Sequence, residues 1–388
     1  MAKIGFTVST SDGGGADLGD LLVPRDLFSE GGLWGWGFNP SGGLGDSTIT
    51  NKSSPVQTIA GGTTWKQVSC ARYFAAAIKT DGTLWTWGNN TNGILGDSTT
   101  TNKSSPVQTI ALGTNWKQVA CGSFHIAAIK NDGTLWSCGY NQFGQLGDST
   151  ISHRSSPTQT ITGGNNWKQV SCGQYHTAAI KTDGTLWTWG NNTNGILGDN
   201  TTTNKSAPVQ TIALGTNWKK VACGSFNTSA IKNDGTLWIC GYNQFGQLGD
   251  STITNKSSPV QTIVGGTNWK QVISGGYHIV AIKTDGSLWT WGYNAFGQLA
   301  DSTTTDKSSP IETITSGYNW KQVSGGLYHT SAIKTDGSLW TWGHNQYGQL
   351  GDSTISHRSS PTQTIAGGYN WKQVSCGQYT TSVVKDDM

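Results

Sequence analysis

Short runs in which apolar and polar residues alternate cover nearly the whole chain. From residue 116 the runs WKQVACG, FHIAAIK and TLWSCG follow one another, and SSPTQTI closes the set after a longer polar loop. Each run has the length of one strand, and alternation at period two turns one side of each toward a core. Asn131-Asp132-Gly133 separates the second and third runs. Asp-Gly between alternating runs predicts a tight hairpin whose two central residues both take positive φ. Pro157 stands near the start of the fourth run. Proline has no N–H for a ladder, so this residue is expected to open the strand and to place it on the outer edge.

The four-run unit recurs without a slip every 51 residues. One tryptophan series runs from Trp34 to Trp340, a second from Trp65 to Trp371, and Trp36, Trp87, Trp189, Trp291 and Trp342 follow the first series by two. Together they account for all 19 tryptophans. Trp85 and Trp87 are two apart and project from one side of their strand, where they can pack on the adjoining unit. Seven such units predict an all-β fold, a seven-bladed β-propeller of four-stranded antiparallel blades ordered from inside to outside as the chain runs. The repeats start near 33, 84, 135, 186, 237, 288 and 339. The closing blade takes its inner two strands from residues 371–385 and its outer two from 33–60, so pairing of the N- and C-terminal segments removes the open edge. The propeller then spans 27–388, and residues 1–26 form an arm.

Composition sharpens this reading. Charged residues make up 12% of the chain where about 25% is usual, and 54 glycines with many Ser, Thr and Asn take their place, as strands and turns require. A net charge of +3, with no basic run longer than Lys219-Lys220, selects no nucleic-acid partner. No apolar stretch is long enough for a membrane span. Five of the seven cysteines (Cys70, Cys121, Cys172, Cys223, Cys376) share one repeat position, which predicts small buried thiols, reduced in a protein made in the cytosol. Cys138 and Cys240 replace the second tryptophan of their repeats.

The carboxylates fall mainly into two turn series, typified by Asp46 and Asp81, and yield no acid/base pair. His125, His176, His278 and His329 share a position. Equivalent side chains on sheets about 10 Å apart do not converge on one ion, so no metal or other cofactor is expected, and each histidine is read as bonded within its own hairpin. One residue before them runs a wholly aromatic series: Tyr73, Phe124, Tyr175, Phe226, Tyr277, Tyr328 and Tyr379. Its neighbours vary, Arg72, Gln174 and Gln378 among them. Two readings stand for this ring, an interface hot spot with variable residues setting specificity, or a cap on the inner core. A cation in each long loop, Lys52 to Lys307 with Arg154 and Arg358, reads as solvated charge or as a contact for an acidic glycan or protein.

The unit W-G-x-N-x-x-G-Q-L-G-D, then S-S-P, then V-x-C-G-x-x-H-x-x-A-I-K-x-D-G, over residues 33–385, resembles the repeat of the regulator of chromosome condensation family. That resemblance implies a seven-bladed propeller. Guanine-nucleotide exchange in the family uses insertions that these repeats lack. Light sensing uses tryptophan in Gly-Trp-Arg-His-Thr, whereas the stretches here read Gly122-Ser123-Phe124-His125 and Gly173-Gln174-Tyr175-His176. Inhibitor proteins of the family bind a partner through aromatics on one face, which matches the ring. The near-identical Ser/Thr/Asn-rich repeats, with a short arm, also resemble virion proteins of marine bacteriophages. The expectation is therefore a non-catalytic propeller on a phage virion surface or tail, assembled in the host cytoplasm. It docks to capsid or tail proteins through Ile4, Phe6, Val8, Leu21, Leu22 and Val23 of the arm and presents one face to a partner or a surface glycan. The alternative is a cytoplasmic, cellular protein-binding propeller, inhibitor- or regulator-like.

Overall fold

The structure is a computed structural model that describes residues 32–385 apart from 60–63, 111–112, 162–163, 213–214, 265, 315–316 and 366–367. The arm, with Ile4, Phe6, Val8, Leu21, Leu22 and Val23, lies outside the described residues. The 28 strands form seven four-stranded antiparallel sheets, and the two short 3-10 turns Thr91–Gly93 and Thr193–Gly195 are the only helical elements among the described residues.

One blade consists of Trp116–Cys121, His125–Lys130, Leu135–Gly139 and Arg154–Gln159, hydrogen-bonded in that order. The first strands of successive blades contact one another around the ring, so they line the axis. In the closing blade Leu33–Gly37 pairs with Thr380–Lys385, with Leu33 opposite Val384 and Gly37 opposite Thr380. Lys52–Gln57 lies outside this pair and Trp371–Cys376 inside it. Among the described residues every blade thus contacts two neighbours.

Two local expectations need correction. In the Asp-Gly hairpin only glycine has positive φ: Gly133 sits at 80°, and Asp132 is not among the positive-φ residues. Gly133 N–H donates to Lys130 O and Lys130 N–H to Thr134 O, a three-residue loop with a glycine bulge. Asp132 shapes it by accepting from both the backbone N–H and the hydroxyl of Thr134. Proline does not open the outer strand. Pro106 is the fourth residue of Lys103–Gln108, within the stretch where the ladder to the third strand breaks between Thr86 and Gly88. A missing N–H is harmless there, and the strand is outermost as expected.

The core is divided into seams between blades rather than pooled at one centre. In one seam Ala127, Ile129 and Leu135 of one blade meet Trp167, Val170, Cys172, Ala179 and Trp189 of the next. The Trp167 and Trp189 ring centroids are 6.0 Å apart. Lys181 lies over Trp167 at 4.9 Å and over the half-buried Trp187 at 4.4 Å, so its stem covers apolar surface while its charge faces two π systems. Near the axis the carboxamide of Gln67 spans to the next blade, donating to Val119 O and accepting from Val119 N–H at 3.0 and 3.1 Å. Lys220 takes the place of this glutamine in one blade and has no carboxamide to offer.

Candidate binding face around the propeller axis

The hairpin between first and second strands carries the aromatic series to one end of the axis. Phe124 is held there by its backbone, whose carbonyl accepts from Tyr140 N–H at 2.9 Å. Gly139 precedes Tyr140 with φ of 110°, and a Cβ on it would collide with the Phe124 backbone, so the approach requires glycine. Ser123 N–H reaches Gly173 O of the next blade at 3.2 Å. The ring positions are therefore tied both within a blade and across the seam.

All seven rings, Tyr73, Phe124, Tyr175, Phe226, Tyr277, Tyr328 and Tyr379, are half-buried at this end. They do not stand alone. A second aromatic set follows the glycine of the third strand (Phe38, Tyr140, Tyr242, Tyr293, with His344), and a third sits in the loop beyond it (Phe143, Phe245, Phe296, Tyr347). Phe143 packs on Tyr175 at 5.0 Å, Phe296 on Tyr328 at 5.2 Å and Tyr347 on Tyr379 at 5.3 Å. These contacts join Phe226, Tyr242, Tyr277, Tyr293, Tyr328, His344, Tyr379, Phe38 and Tyr73 into one continuous arc. Phe124, Tyr140, Phe143 and Tyr175 form a separate patch, with Phe124 stacked on Tyr175 at 5.1 Å. Asn89, in the blade before this patch, and Asn191, in the blade that carries Tyr175, occupy the second aromatic position. The sequence reading missed the outer two sets, although their signal was present in the repeated GYNQFGQ.

Burial and the surrounding phenols raise the Tyr277 and Tyr379 hydroxyls, and they push Tyr328 up to about 12, so these three phenols are uncharged at neutral pH. Inside it lies an axial cavity of about 160 Å³. Arg72, Gln174 and Gln378 line its mouth together with Ser123 and Ser225. The structure thus brings the variable residues together around one opening and surrounds them with the rings.

The other candidate groups are committed elsewhere. His125 does not bond within its own hairpin. Its Nε2 meets Thr177 Oγ1 of the next blade at 2.9 Å, as His176 meets Thr228, His278 meets Thr330 and His329 meets Thr381. His125 and Thr177 lie on the second strands of adjacent blades, so the imidazole bridges the seam rather than its own hairpin. Burial pushes these imidazoles down to about 3. The loop cations are not free either: each pairs with the aspartate six residues before it, from Lys52 with Asp46 at 3.6 Å to Arg358 with Asp352 at 2.8 Å. Lys52 and its equivalents begin the outer strand rather than sit in the loop. At the opposite end of the axis, Lys66 and its equivalents at the same spacing are exposed. Among the described residues no group of three or more His, Cys, Asp or Glu could hold a metal, and no helix is long and apolar enough to cross a membrane. All seven cysteines are free thiols.

The profile of the RCC1-like domain matches residues 27–268 and 164–388, which together take in the whole repeat array. The chain belongs to the RCC1-like domain family. This RCC1-like propeller is similar to the ultraviolet-B receptor UVR8 of Arabidopsis thaliana, 32% identical over 327 residues that cover 82% of this chain and 74% of the receptor. It is also similar to the mitochondrial RCC1 domain-containing protein RUG3 of the same plant, 28% identical with 82% and 79% covered. Among solved structures, Prp20p of Saccharomyces cerevisiae, studied for its binding to Gsp1p and histones, superimposes with a TM-score of 0.84 at 18% identity over 92% of each chain. Human WBSCR16 gives 0.82 at 20% identity, over 93% of this chain and all of the other. At such identity these structures bear on the fold alone.

Proposed function

We propose that this RCC1-like propeller is a non-catalytic, protein-binding module whose aromatic end is its recognition surface. The observation that carries the reading is the continuous arc of half-buried rings from Phe226 to Tyr73 around a mouth of variable residues. Rings held by backbone bonds on both sides lose little freedom when a partner covers them, which is how aromatic anchors contribute most to an interface. Named relatives support the cellular alternative over the virion reading: the plant relative UVR8 is an ultraviolet-B receptor, and a Caenorhabditis elegans relative is a GTPase regulator homolog. Light sensing is not proposed, because Ser123 and Gln174 occupy the hairpin positions where a tryptophan would be needed.

The test is affinity capture with the wild-type chain and with a Tyr175→Ala, Tyr277→Ala, Tyr328→Ala variant, followed by titration of the purified partner. The variant should keep its fold and bind at least about a hundredfold more weakly, the loss of the two arc anchors Tyr277 and Tyr328 at about 1.4 kcal/mol each. A folded variant with unchanged Kd would place recognition elsewhere. A variant that unfolds would make the rings part of the core.

A further inference from the structure

We infer that the axial mouth of the aromatic face is an anion socket for a carboxylate side chain of a protein partner, with Arg72 as its cation. The inference rests on the reading of this face as the recognition surface and adds the chemistry of what enters it.

The repeat makes the departure visible. The other basic residues of the propeller fall into three periodic series, typified by Lys52, Lys66 and Lys79, with Lys220 as a single addition at the far end of the first strand. Arg72 belongs to none of them. Its counterparts in the other hairpins are Ser123, Gln174, Ser225, Gly276, Leu327 and Gln378, all uncharged. Among the described residues that line the axial cavity, Arg72 alone carries a charge, and no Asp or Glu is among them.

Nor is this guanidinium satisfied within the fold. None of the ion pairs of the described residues includes it. Its Nε is buried from solvent and has no hydrogen-bond partner. Its carbon lies 4.7 Å from the centre of the Tyr73 ring, a contact that holds the plane without using its N–H groups. A buried, unpaired donor on a cation is costly, and a carboxylate relieves that cost through two parallel charge-assisted bonds.

The neighbours complete the donor set. Gln378 reaches across the mouth and donates from Nε2 to Ser123 Oγ at 2.9 Å, which leaves the Ser123 hydroxyl hydrogen free to turn toward an incoming oxygen. A cavity of about 160 Å³ takes a carboxylate and a short stem, not a nucleotide. The apolar remainder of a peptide would then lie over Tyr73, Phe38 and Tyr379, the end of the arc nearest Arg72.

The experiment follows the Arg72 Nε–H signal by proton–nitrogen correlation spectroscopy while three probes are titrated: acetyl-Phe-Glu-Phe-amide, its Phe-Gln-Phe counterpart, and acetate. The Glu peptide should shift the signal saturably, and the Gln peptide should bind about tenfold more weakly, the ratio that about 1.4 kcal/mol sets. Arg72→Gln should abolish the difference between the peptides and Arg72→Lys should retain part of it, both at an unchanged melting temperature. Equal binding of the two peptides by the wild-type chain overturns the inference, whatever the variants do. Acetate as tight as the Glu peptide also overturns it, by making the socket a site for free small carboxylates. If the peptides fail while the triple tyrosine variant still loses its partner, the aromatic face stands and the socket alone falls.

Discussion

Trp36 donates its indole N–H to the backbone oxygen of Gln349 at 2.8 Å and so joins the first strand of the repeat array to its last long loop. The same bond recurs at other seams, from Trp189 to Gln145 O and from Trp291 to Gln247 O, each between neighbouring blades. Ring closure therefore uses the ordinary seam contact and needs no special latch. Trp36 is fully buried. Trp36→Phe keeps most of the packing and removes one of the two bonds that Gln349 O accepts, the other coming from Thr381 Oγ1 at 2.8 Å, and should cost about 0.5–1.5 kcal/mol. Trp36→Ala should cost about 3–5 kcal/mol. Equilibrium denaturation measures both, and a Phe variant as stable as wild type would show that the bond contributes nothing.

Where the tryptophan is replaced, the preceding blade compensates. Cys138 and Cys240 donate their thiols to Ile94 O and Ile196 O at 3.3 Å, and isoleucine stands at these loop positions where Gln145, Gln247, Gln298 and Gln349 face tryptophans. Ile94 and Cys138 belong to one apolar cluster. Small thiol and large aliphatic residue thus trade volume with indole and glutamine. Cys138→Trp alone should overpack the seam by about 1–3 kcal/mol, and Ile94→Gln in the same chain should recover most of that. A double-mutant cycle with no coupling would sink the idea.

The four fully buried seam histidines, His125, His176, His278 and His329, make stability depend on pH. Their folded pKa of about 3 lies below the ordinary value near 6.5 because burial disfavours the charged ring. The unfolded chain then binds more protons between those limits, so stability is lost as pH falls below about 6.5 and the loss is complete near pH 3. Near pH 5 unfolding should take up close to four protons from these groups and most of one more from His344, which burial pushes down to about 4. Calorimetry in buffers of different ionisation enthalpy reads this number, and an uptake below one would mean that the imidazoles already titrate in the fold.

Each loop pair separates a structural anion from a dispensable cation. Lys103 lies 3.6 Å from Asp97 and is partly exposed, so Lys103→Gln should change stability by no more than about 1 kcal/mol. Asp97 also accepts from the N–H and hydroxyl of Thr99 and from Asn90 Nδ2. Burial alone would raise its carboxyl, but these bonds hold it below the usual range. Asp97→Ala should therefore cost about 2 kcal/mol more than Lys103→Gln. Similar melting temperatures for the two variants would contradict this division.

The 51-residue period by itself determined the strand content, the blade number, the order of strands within a blade and the closure from 33–60 to 371–385, because alternation, turn residues and backbone pairing act over short stretches of chain. It also carried Tyr73 and its equivalents to one end of the axis, since hairpins must alternate ends. What only the tertiary structure decided lies across the seams. That His125 bonds Thr177, that Ile94 makes room for Cys138, and that Phe226 through Tyr73 form an arc while Phe124 and Tyr175 stand apart all depend on how closely two sheets approach and at what angle. A repeat pattern records which residues are equivalent. Contacts between unlike positions of neighbouring repeats have no period of their own, so they became visible only when the blades were packed.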